Sequence, residues 1–365
     1  MQIADIRTSV HRFETQLPLR KPARGSDRVY CEMETTDGRV GFGMSAKFMP
    51  HAIASAVTEH LKPAIVGMDI RDMEKIHERL EKVMTERGCM SGINLNALSC
   101  VDLALWDLNG QVRGETVARM LGGYRDEVGV YITYGFGTYA TEELIQVGRD
   151  LVAKGHRNLK VLVGTAKEGW REDVRRVQAV REALGPDVGL SIDANESLPL
   201  DSAVRLARAL EECDIDWFED PLHNMDARDL ARLRTMTSIP LSGGQMDGHS
   251  QRFRQWIEHG SLDIFMPNSL YNGGMTETCK VAHLAQIYNR PLSDAGGGGL
   301  YSVHHVAGFR NGTLAESHLQ VEQVERQLFV DAPEPTNGVI AVPRGPGFGL
   351  TVNKDVLRDT LIKTG

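Results

Sequence analysis

Residues 189–221, GLSIDANESLPLDSAVRLARALEECDIDWFEDP, contain one full repeat of the pattern that decides the fold. The short apolar run GLSIDAN precedes a stretch with apolar residues at helical spacing, and a second apolar run, IDWFEDP, follows. The helical stripe consists of Ala203, Leu206, Ala207 and Leu210. A strand, a helix and a strand in this order indicate two parallel neighbours, because parallel strands need a crossover between them.

The same alternation continues from about residue 128 to residue 319, with eight strand-like runs and seven helical stretches between them. Eight such units favour a closed (β/α) barrel over an open sheet. Residues 1–125 differ, since two strand-like pieces joined by a polar loop precede helical stretches, and this predicts a separate α+β domain. We place the barrel at residues 126–325 and expect the Pro- and Gly-rich residues 326–365 to return to the N-terminal domain.

The composition is that of an ordinary globular protein, with 41% hydrophobic and 25% charged residues in 365. The net charge of −8 does not provide the excess of positive charge that nucleic-acid binding requires, so we expect no nucleic-acid partner. No apolar run approaches membrane-spanning length and the N-terminus lacks a signal-peptide core, so we expect a cytoplasmic protein without a membrane partner. The five cysteines are odd in number and lack a CxxC pair, so they suggest neither a disulfide framework nor a zinc site.

Polar side chains stand where successive barrel strands are predicted to end, which is where barrel chemistry is located. Asp193, Glu219 and Gln245 end the third, fourth and fifth runs and are separated by 26 positions in each case. Carboxylate and amide oxygens converging on one point suit a hard cation, Mg²⁺ above all. A single polar residue at a strand end is more simply explained as a cap of the following helix. Three such residues at a regular spacing of 26 positions favour a metal site.

The chain resembles the enolase superfamily, in its mandelate racemase-like branch, over nearly its whole length. The matching motifs are NALSCVDLALWDLNGQ, IDAN, FEDP, NGGMTETCKVAHLA and LAESH. The resemblance implies a modified TIM barrel with an N-terminal capping domain, and proton abstraction next to a carboxylate with the enediolate held by Mg²⁺. It implies one Mg²⁺ per subunit, bound by Asp193, Glu219 and Gln245, and a homo-oligomer between dimer and octamer.

The chain departs from the family pattern in ways that keep its charge balanced. The family's Lys-x-Lys motif on strand two is Lys160-Val-Leu162 here, so the second lysine, a common base, is missing. Gln245 replaces the usual third acid, and the Asp–His dyad of strands six and seven is absent from this sequence. Because one positive and one negative charge are lost together, we interpret the site as re-tuned, with Mg²⁺ weakly bound, and drift after loss of function is the alternative.

The candidate acid and base residues are Lys160, Asp294 and Glu316. A bound cation would lower the pKa of Lys160 and make it a base, and an electrostatic clamp is the alternative. Asp294 lies near the strand-seven catalytic position, or else orders the glycine run behind it. Glu316 matches the strand-eight acid, and a raised pKa there would make it a proton donor.

The candidate substrate-binding residues lie on strand ends and in the loop at residues 18–27, which matches the family's mobile capping loop. The alternatives are a solvated surface for the loop and barrel packing for Tyr134. The set comprises Arg20, Arg24, Tyr134, Asn195, Asn268 and His318.

Two hypotheses follow for the function. The first is a Mg²⁺-dependent lyase or isomerase, a dehydratase, cycloisomerase or epimerase, that converts a sugar acid or similar carboxylate through an enediolate. The second is a non-catalytic member that binds an acid sugar or serves as an assembly subunit.

Overall fold

The N-terminal part is an antiparallel sheet covered by helices. The computed structural model describes residues 1–21, 23–45, 47–85, 91–246 and 248–362. The sheet consists of β1 (Ile3–Thr15), β2 (Arg24–Thr35) and β3 (Val40–Ser45), paired in that order. The helices are α1 (Pro50–Ala56) with a π-helical turn (Val57–Leu61), α2 (Lys62–Ile65), α3 (Met73–Thr85), α4 (Ile93–Arg113) and α5 (Val117–Met120).

The capping loop is shorter than the sequence predicts. Residues 24–27 belong to β2 and pair with β1, so only residues 16–23 connect the two strands. The long helix α4 lies against this sheet, because glycines of β3 allow close contact. A Cβ at Gly43 would meet the carbonyl oxygen of Cys100 at 2.1 Å, so the strand backbone touches the helix directly.

The rest of the described chain is a curled parallel sheet surrounded by helices. Its strands, in spatial order, are β10 (Leu314–His318), β4 (Glu127–Gly135), β5 (Asn158–Leu162), β6 (Gly189–Asp193), β7 (Ile215–Glu219), β8 (Leu241–Gly243) and β9 (Ile264–Phe265). The helices are α6 (Thr141–Ala153), α7 (Trp170–Leu184), α8 (Leu200–Leu210), α9 (Ala227–Arg234), α10 (Ser250–His259), α11 (Met275–Ile287) and α12 (Gly299–Gly308). The barrel fold with a separate N-terminal domain is therefore confirmed.

The seventh predicted strand, RPLSDAGG at residues 290–297, is reduced to a single bridging residue. Leu292 makes parallel bridges to Phe265 on one side and Gly312 on the other, and so joins β9 to the segment that leads into β10. Proline has no amide proton for a sheet, and Pro291 stands immediately before this residue. The predicted stripe on α8 is fully buried, as its helical spacing requires.

The C-terminal segment contacts both parts of the molecule. It contains α13 (Leu319–Leu328), β11 (Val339–Ala341) and α14 (Lys354–Thr360). β11 pairs antiparallel with β4 of the barrel, while the amide of Ile362 donates to the carbonyl of Val10 in β1 at 2.8 Å. The domain limits proposed from the sequence stay a prediction. Among the described residues, no helix has both the length and the apolar character needed to cross a bilayer.

Candidate active site

The strand register brings the predicted metal-binding carboxylates together. Asp193 pairs with Leu162 of β5 on one side and with Glu219 of β7 on the other, so the last residues of three adjacent strands stand side by side. Because all three strands are parallel, their carboxyl ends point to the same face of the barrel. The sequence spacing of 26 thus corresponds to one strand step, and the roles of these residues as ligands remain a prediction.

Lys160 lies at the centre of this face and is almost completely buried. Its Nζ is 2.6 Å from Glu219 Oε1, 3.1 Å from Glu316 Oε1 and 3.4 Å from Asp193 Oδ2. It also lies 5.0 Å from the centre of the Tyr131 ring. Burial lowers the pKa of Lys160, but the three carboxylates outweigh it and raise the pKa well above its usual value.

In the site without a metal the Lys160 side chain is therefore held as an ammonium, and the drop in its pKa beside a bound cation stays a prediction. One ammonium facing three carboxylates leaves two negative charges without a partner at this point. Burial accordingly raises the pKa of both Asp193 and Glu219, despite the lysine. A divalent cation would supply the missing two charges, so the oxygen-rich donor set fits Mg²⁺.

Gln245 is fixed next to the carboxylates by a short hydrogen-bond chain. Its Nε2 donates to Oδ1 of Asn195 at 2.8 Å, and the amide N–H of Asn195 donates to Oδ1 of Asp193 at 2.7 Å. The other end of the Gln245 amide, Oε1, lies against the backbone of Gly296. The predicted third ligand and Asn195 thus belong to one connected group with Asp193.

Replacing Gly296 with alanine is expected to weaken Mg²⁺ binding tenfold or more, which corresponds to about 1.4 kcal/mol. A Cβ there would meet Gln245 Oε1 at 2.7 Å and Asn268 Nδ2 at 3.1 Å, so the side chain of Gln245, the predicted third ligand, must move. The dissociation constant is measured by titration calorimetry.

The matched control for this prediction is Gly38→Ala. Gly38 has a similarly positive φ of 84°, against 70° for Gly296, but a Cβ there meets nothing within 4 Å. It should therefore cost stability through backbone strain and leave Mg²⁺ affinity unchanged. Equal Mg²⁺ affinity in the two variants would contradict the placement of Gln245.

Glu316 is held as a carboxylate. It contacts the Lys160 ammonium, and it accepts hydrogen bonds from the Thr133 hydroxyl and the Gly297 amide. Burial raises its pKa, but Lys160 and the other donors outweigh burial and lower the pKa overall. This direction runs against the raised pKa that a proton donor needs in the site without a metal, and the catalytic role of Glu316 stays a prediction.

A cavity of about 100 Å³ opens above these residues. It contains the predicted residues Asp193, Asn195, Gln245, Glu316 and His318. Leu162 also lines it, so the position where the family has its second lysine faces the substrate space. The remaining lining residues are Lys47, Phe48, Thr133, Met246, Tyr271 and Gly296.

His318 lines this cavity and carries a hydrogen-bond donor. Its Nδ1 accepts from the amide of Gln320 at 3.2 Å, so the proton of a neutral ring is on Nε2. Burial lowers the pKa of His318 to about 4, so the ring is neutral at pH 7. This geometry agrees with the predicted contact to substrate.

Three predicted residues lie behind the cavity. The hydroxyl of Tyr134 points to Gly148 of α6, which makes it barrel packing. Asn268 donates to the carbonyl of Ala295 at 2.6 Å and lies beneath Gly296. Asp294 is fully buried and accepts from the amide of Glu316 at 2.7 Å, so it positions the strand-eight acid. The structure does not bring these three side chains to the substrate space.

The two predicted arginines of the capping loop also lie outside the cavity. Arg20 forms an ion pair of 2.5 Å with Glu143 at the start of α6 and stacks on Tyr139 at 4.8 Å. Arg24 lines an open groove next to the cavity, and the two spaces share Lys47 and Phe48. Arg20 is thus engaged by the barrel, while Arg24 stands at the approach to the site.

The sequence reasoning missed Lys47, Phe48 and Tyr271. The first two follow β3 of the N-terminal domain and the third follows β9, so they reach the cavity by tertiary packing. Thr133 was also missed, because the alternation along β4 separates two faces without showing which of them lines the cavity. Tyr131 and Thr133 alternate with Tyr134 along β4, and a strand directs alternate residues to opposite faces.

Comparison with known families and structures agrees with this architecture. The family described as "Mandelate racemase / muconate lactonizing enzyme, N-terminal domain" matches residues 9–122, and "Enolase C-terminal domain-like" matches residues 143–356. The chain belongs to the enolase superfamily, in its mandelate racemase/muconate lactonizing enzyme-like branch. The predicted membership of this chain in the enolase superfamily is therefore confirmed.

Its relatives in the superfamily cover most of the chain. It is 30% identical over 345 residues to the arabinonate dehydratase of Saccharolobus solfataricus, covering 92% of this chain and 91% of that protein. It is 31% identical to the D-galactarolactone cycloisomerase of Agrobacterium fabrum, covering 98% of each. A racemase from Streptomyces coelicolor A3(2) with bound magnesium superposes with a TM-score of 0.90 at 28% identity, covering 99% of this chain and 100% of that one.

A second solved structure holds both a metal and a sugar acid. It is the L-talarate dehydratase of Polaromonas sp. JS666 complexed with Mg and L-glucarate. Its TM-score is 0.87 at 29% identity, covering 99% of this chain and 98% of that chain.

Proposed function

We propose that this protein is a Mg²⁺-dependent lyase or isomerase that removes the proton next to the carboxylate of a sugar acid. The observation that carries the proposal is the buried Lys160 surrounded by Asp193, Glu219 and Glu316, with two negative charges left for a dication. The dehydratase and cycloisomerase relatives, and the magnesium in the two similar structures, support it.

We assign the metal to Asp193, Glu219 and Gln245. When bound there, Mg²⁺ would supply positive charge to the substrate carboxylate and to the negative charge that develops on it. Of the two roles considered for Lys160 we favour the electrostatic clamp, because the three carboxylates raise its pKa in the site without a metal. Asp294 positions Glu316 through its backbone amide.

We propose Lys47 as the group that accepts the substrate proton in place of the lysine replaced by Leu162. Both residues line the cavity, and Lys47 reaches it from the N-terminal domain. Lys47 is an exposed residue, but desolvation of its ammonium and the charge of Arg28 still lower its pKa, and the charge of Glu316 opposes them only in part. The lowered pKa favours the neutral amine that a base requires. The Nε2–H of His318 then donates a hydrogen bond to the substrate.

A screen of aldonic and aldaric acids and their lactones tests the proposed function. The protein is incubated with each acid in excess Mg²⁺ and, in parallel, with a chelator, and products are identified by NMR. We expect Mg²⁺-dependent dehydration, cycloisomerisation or epimerisation of at least one acid. Acid-sugar binding without turnover would instead support the non-catalytic hypothesis, which the apolar Leu162 in the cavity favours. Light scattering tests the predicted homo-oligomer.

A further inference from the structure

A second cluster of metal-ligating side chains lies away from the candidate active site, where the N-terminal domain meets the barrel. It consists of His77 and Glu81 on α3 and Glu277 on α11. One ligand atom from each residue lies within 4.8 Å of the other two. His77 and Glu277 are buried, with 2% and 0% of their side chains exposed, while Glu81 reaches solvent at 28%.

The hydrogen bonds of His77 fix the direction of its free nitrogen. Its Nδ1 donates to Oδ1 of Asp102 at 3.3 Å, and Asp102 is itself held by the amide of Thr276 at 3.0 Å and its hydroxyl at 2.6 Å. Nε2 has no hydrogen-bond partner among the described residues. It faces Glu81 Oε1 and Glu277 Oε1, each at 3.4 Å.

Burial lowers the pKa of His77, but its carboxylate neighbours outweigh burial and raise the pKa well above its usual value, so without a metal the ring is held as an imidazolium. A metal ion would replace the proton on Nε2, since a neutral ring in this position directs the lone pair of Nε2 at two carboxylates. That contact is repulsive unless a positive charge lies between the three groups. The distances suit a metal ion, because bonds of about 2.0–2.1 Å in a tetrahedral site place neighbouring ligand atoms roughly 3.3 Å apart. A carboxylate bonded to the other nitrogen of a ligating histidine is also the usual outer partner in such sites.

We propose that His77, Glu81 and Glu277 bind a first-row transition dication, Zn²⁺ in the first instance, at the junction of the N-terminal domain and the barrel. An imidazole ligand favours such a metal over Mg²⁺, so this site differs in preference from the oxygen-only site of the barrel.

His249 supports the site as a donor. Its Nδ1 accepts from the amide of Gln251 at 3.2 Å, so the proton of the neutral ring is on Nε2. This Nε2 faces Glu277 Oε2 at 3.4 Å and Glu81 Oε1 at 3.5 Å. His249 can therefore orient both carboxylates, while His77 supplies the only imidazole lone pair at this cluster within the described ranges.

The cluster is rich in carboxylates, which suits a cation. Glu81, Glu277 and Asp102 surround His77, and Lys280 is paired with Glu277 and Glu81. The Lys280 side chain is 40% exposed, so its ammonium can turn to solvent when a metal approaches Glu277. A bound dication would join α3 to α11 and so stabilise the contact between the two domains.

The test is a Zn²⁺ titration of the whole protein in excess Mg²⁺, followed by thermal unfolding and calorimetry. We expect one Zn²⁺ per chain and a rise in Tm of roughly 4 °C or more at saturating metal. Co²⁺ should bind at the same place and give the visible absorption of a tetrahedral ion. Asp193→Asn should keep both signals, since it alters only the Mg²⁺ site.

The decisive variant is His77→Gln, with His249→Gln as the matched control on the same cluster. His77→Gln should raise the Zn²⁺ dissociation constant at least about a hundredfold, and the control roughly tenfold. Glu81→Gln, at a partly exposed position, gives the same test if His77→Gln does not fold. The proposal is overturned if wild type shows no Zn²⁺-dependent shift, or if the shift survives both ligand variants. An imidazolium at His77 would then hold the carboxylates together.

Discussion

Replacing Lys160 with methionine is expected to abolish turnover and to lower the free energy of unfolding by about 3–5 kcal/mol at pH 7. Lys160 is the buried cation between Asp193, Glu219 and Glu316, so its loss leaves these carboxylates facing one another without a counter-charge. Urea unfolding in the absence of Mg²⁺ measures the change. The exposed Lys167→Met serves as the control and should leave stability unchanged.

The decrease in the free energy of unfolding caused by Lys160→Met should depend on pH and on the presence of Mg²⁺. Burial raises the pKa of Asp193 and Glu219 even beside the lysine, and removal of Lys160 raises both values further. A carboxyl group whose folded pKa lies above its unfolded value stabilises the folded state at low pH, and this stability is lost as the pH rises. The deficit of Lys160→Met should therefore shrink towards pH 4 and shrink again when Mg²⁺ is added. A deficit independent of both would contradict the assigned charges.

Leu162→Lys and Gln245→Glu are expected to change Mg²⁺ affinity in opposite directions, and the loss caused by Leu162→Lys is expected to be smaller when Gln245→Glu is also present. With Mg²⁺ bound, the charges of Lys160, the three carboxylates and the metal balance, so each single change adds one uncompensated charge. Leu162→Lys should weaken Mg²⁺ binding about tenfold or more, and Gln245→Glu should strengthen it. The coupling between the two changes should be about 1–3 kcal/mol.

This coupling is measured from the Mg²⁺ dissociation constants of wild type, the two single variants and the double variant. Activity provides a second readout. If the double variant gains an activity that the natural chain lacks on every acid tested, the natural site is idle and the non-catalytic hypothesis gains support. Purely additive effects on Mg²⁺ affinity would show that Leu162 and Gln245 are independent, which contradicts a charge-balanced exchange.

The barrel could be predicted because its helices and strands have different hydrophobic periods, as on α8. The shortness of the seventh strand could not be predicted, because the hydrophobic pattern does not show that strand pairing there is limited to Leu292. The side of a strand that faces the site is equally hidden. A shift of one residue exchanges the two faces, which is why Tyr134 was expected in the cavity that Thr133 occupies.

The carboxylates of the site were predictable because Asp193 and Glu219 stand at equivalent ends of neighbouring strands, 26 residues apart in the sequence. The pKa of Glu316 was not, because it depends on donors from Thr133 and Gly297 that no local pattern reveals. Contacts between residues that are far apart in the sequence cannot be predicted for the same reason. His77 and Glu81 show helical spacing in the sequence, but only the packing of α3 on α11 brings Glu277 to them.

The central claim is that this site removes the proton next to the carboxylate of a sugar acid with the help of Mg²⁺. Exchange of that proton for deuterium in D₂O, followed by NMR on acids that bind, measures this step whether or not a product forms. We predict exchange that requires Mg²⁺ and that falls about 100-fold or more in Lys47→Met and Asp193→Asn. Exchange that persists in Asp193→Asn or with chelator, or its absence in wild type with a bound acid sugar and saturating Mg²⁺, would contradict the account.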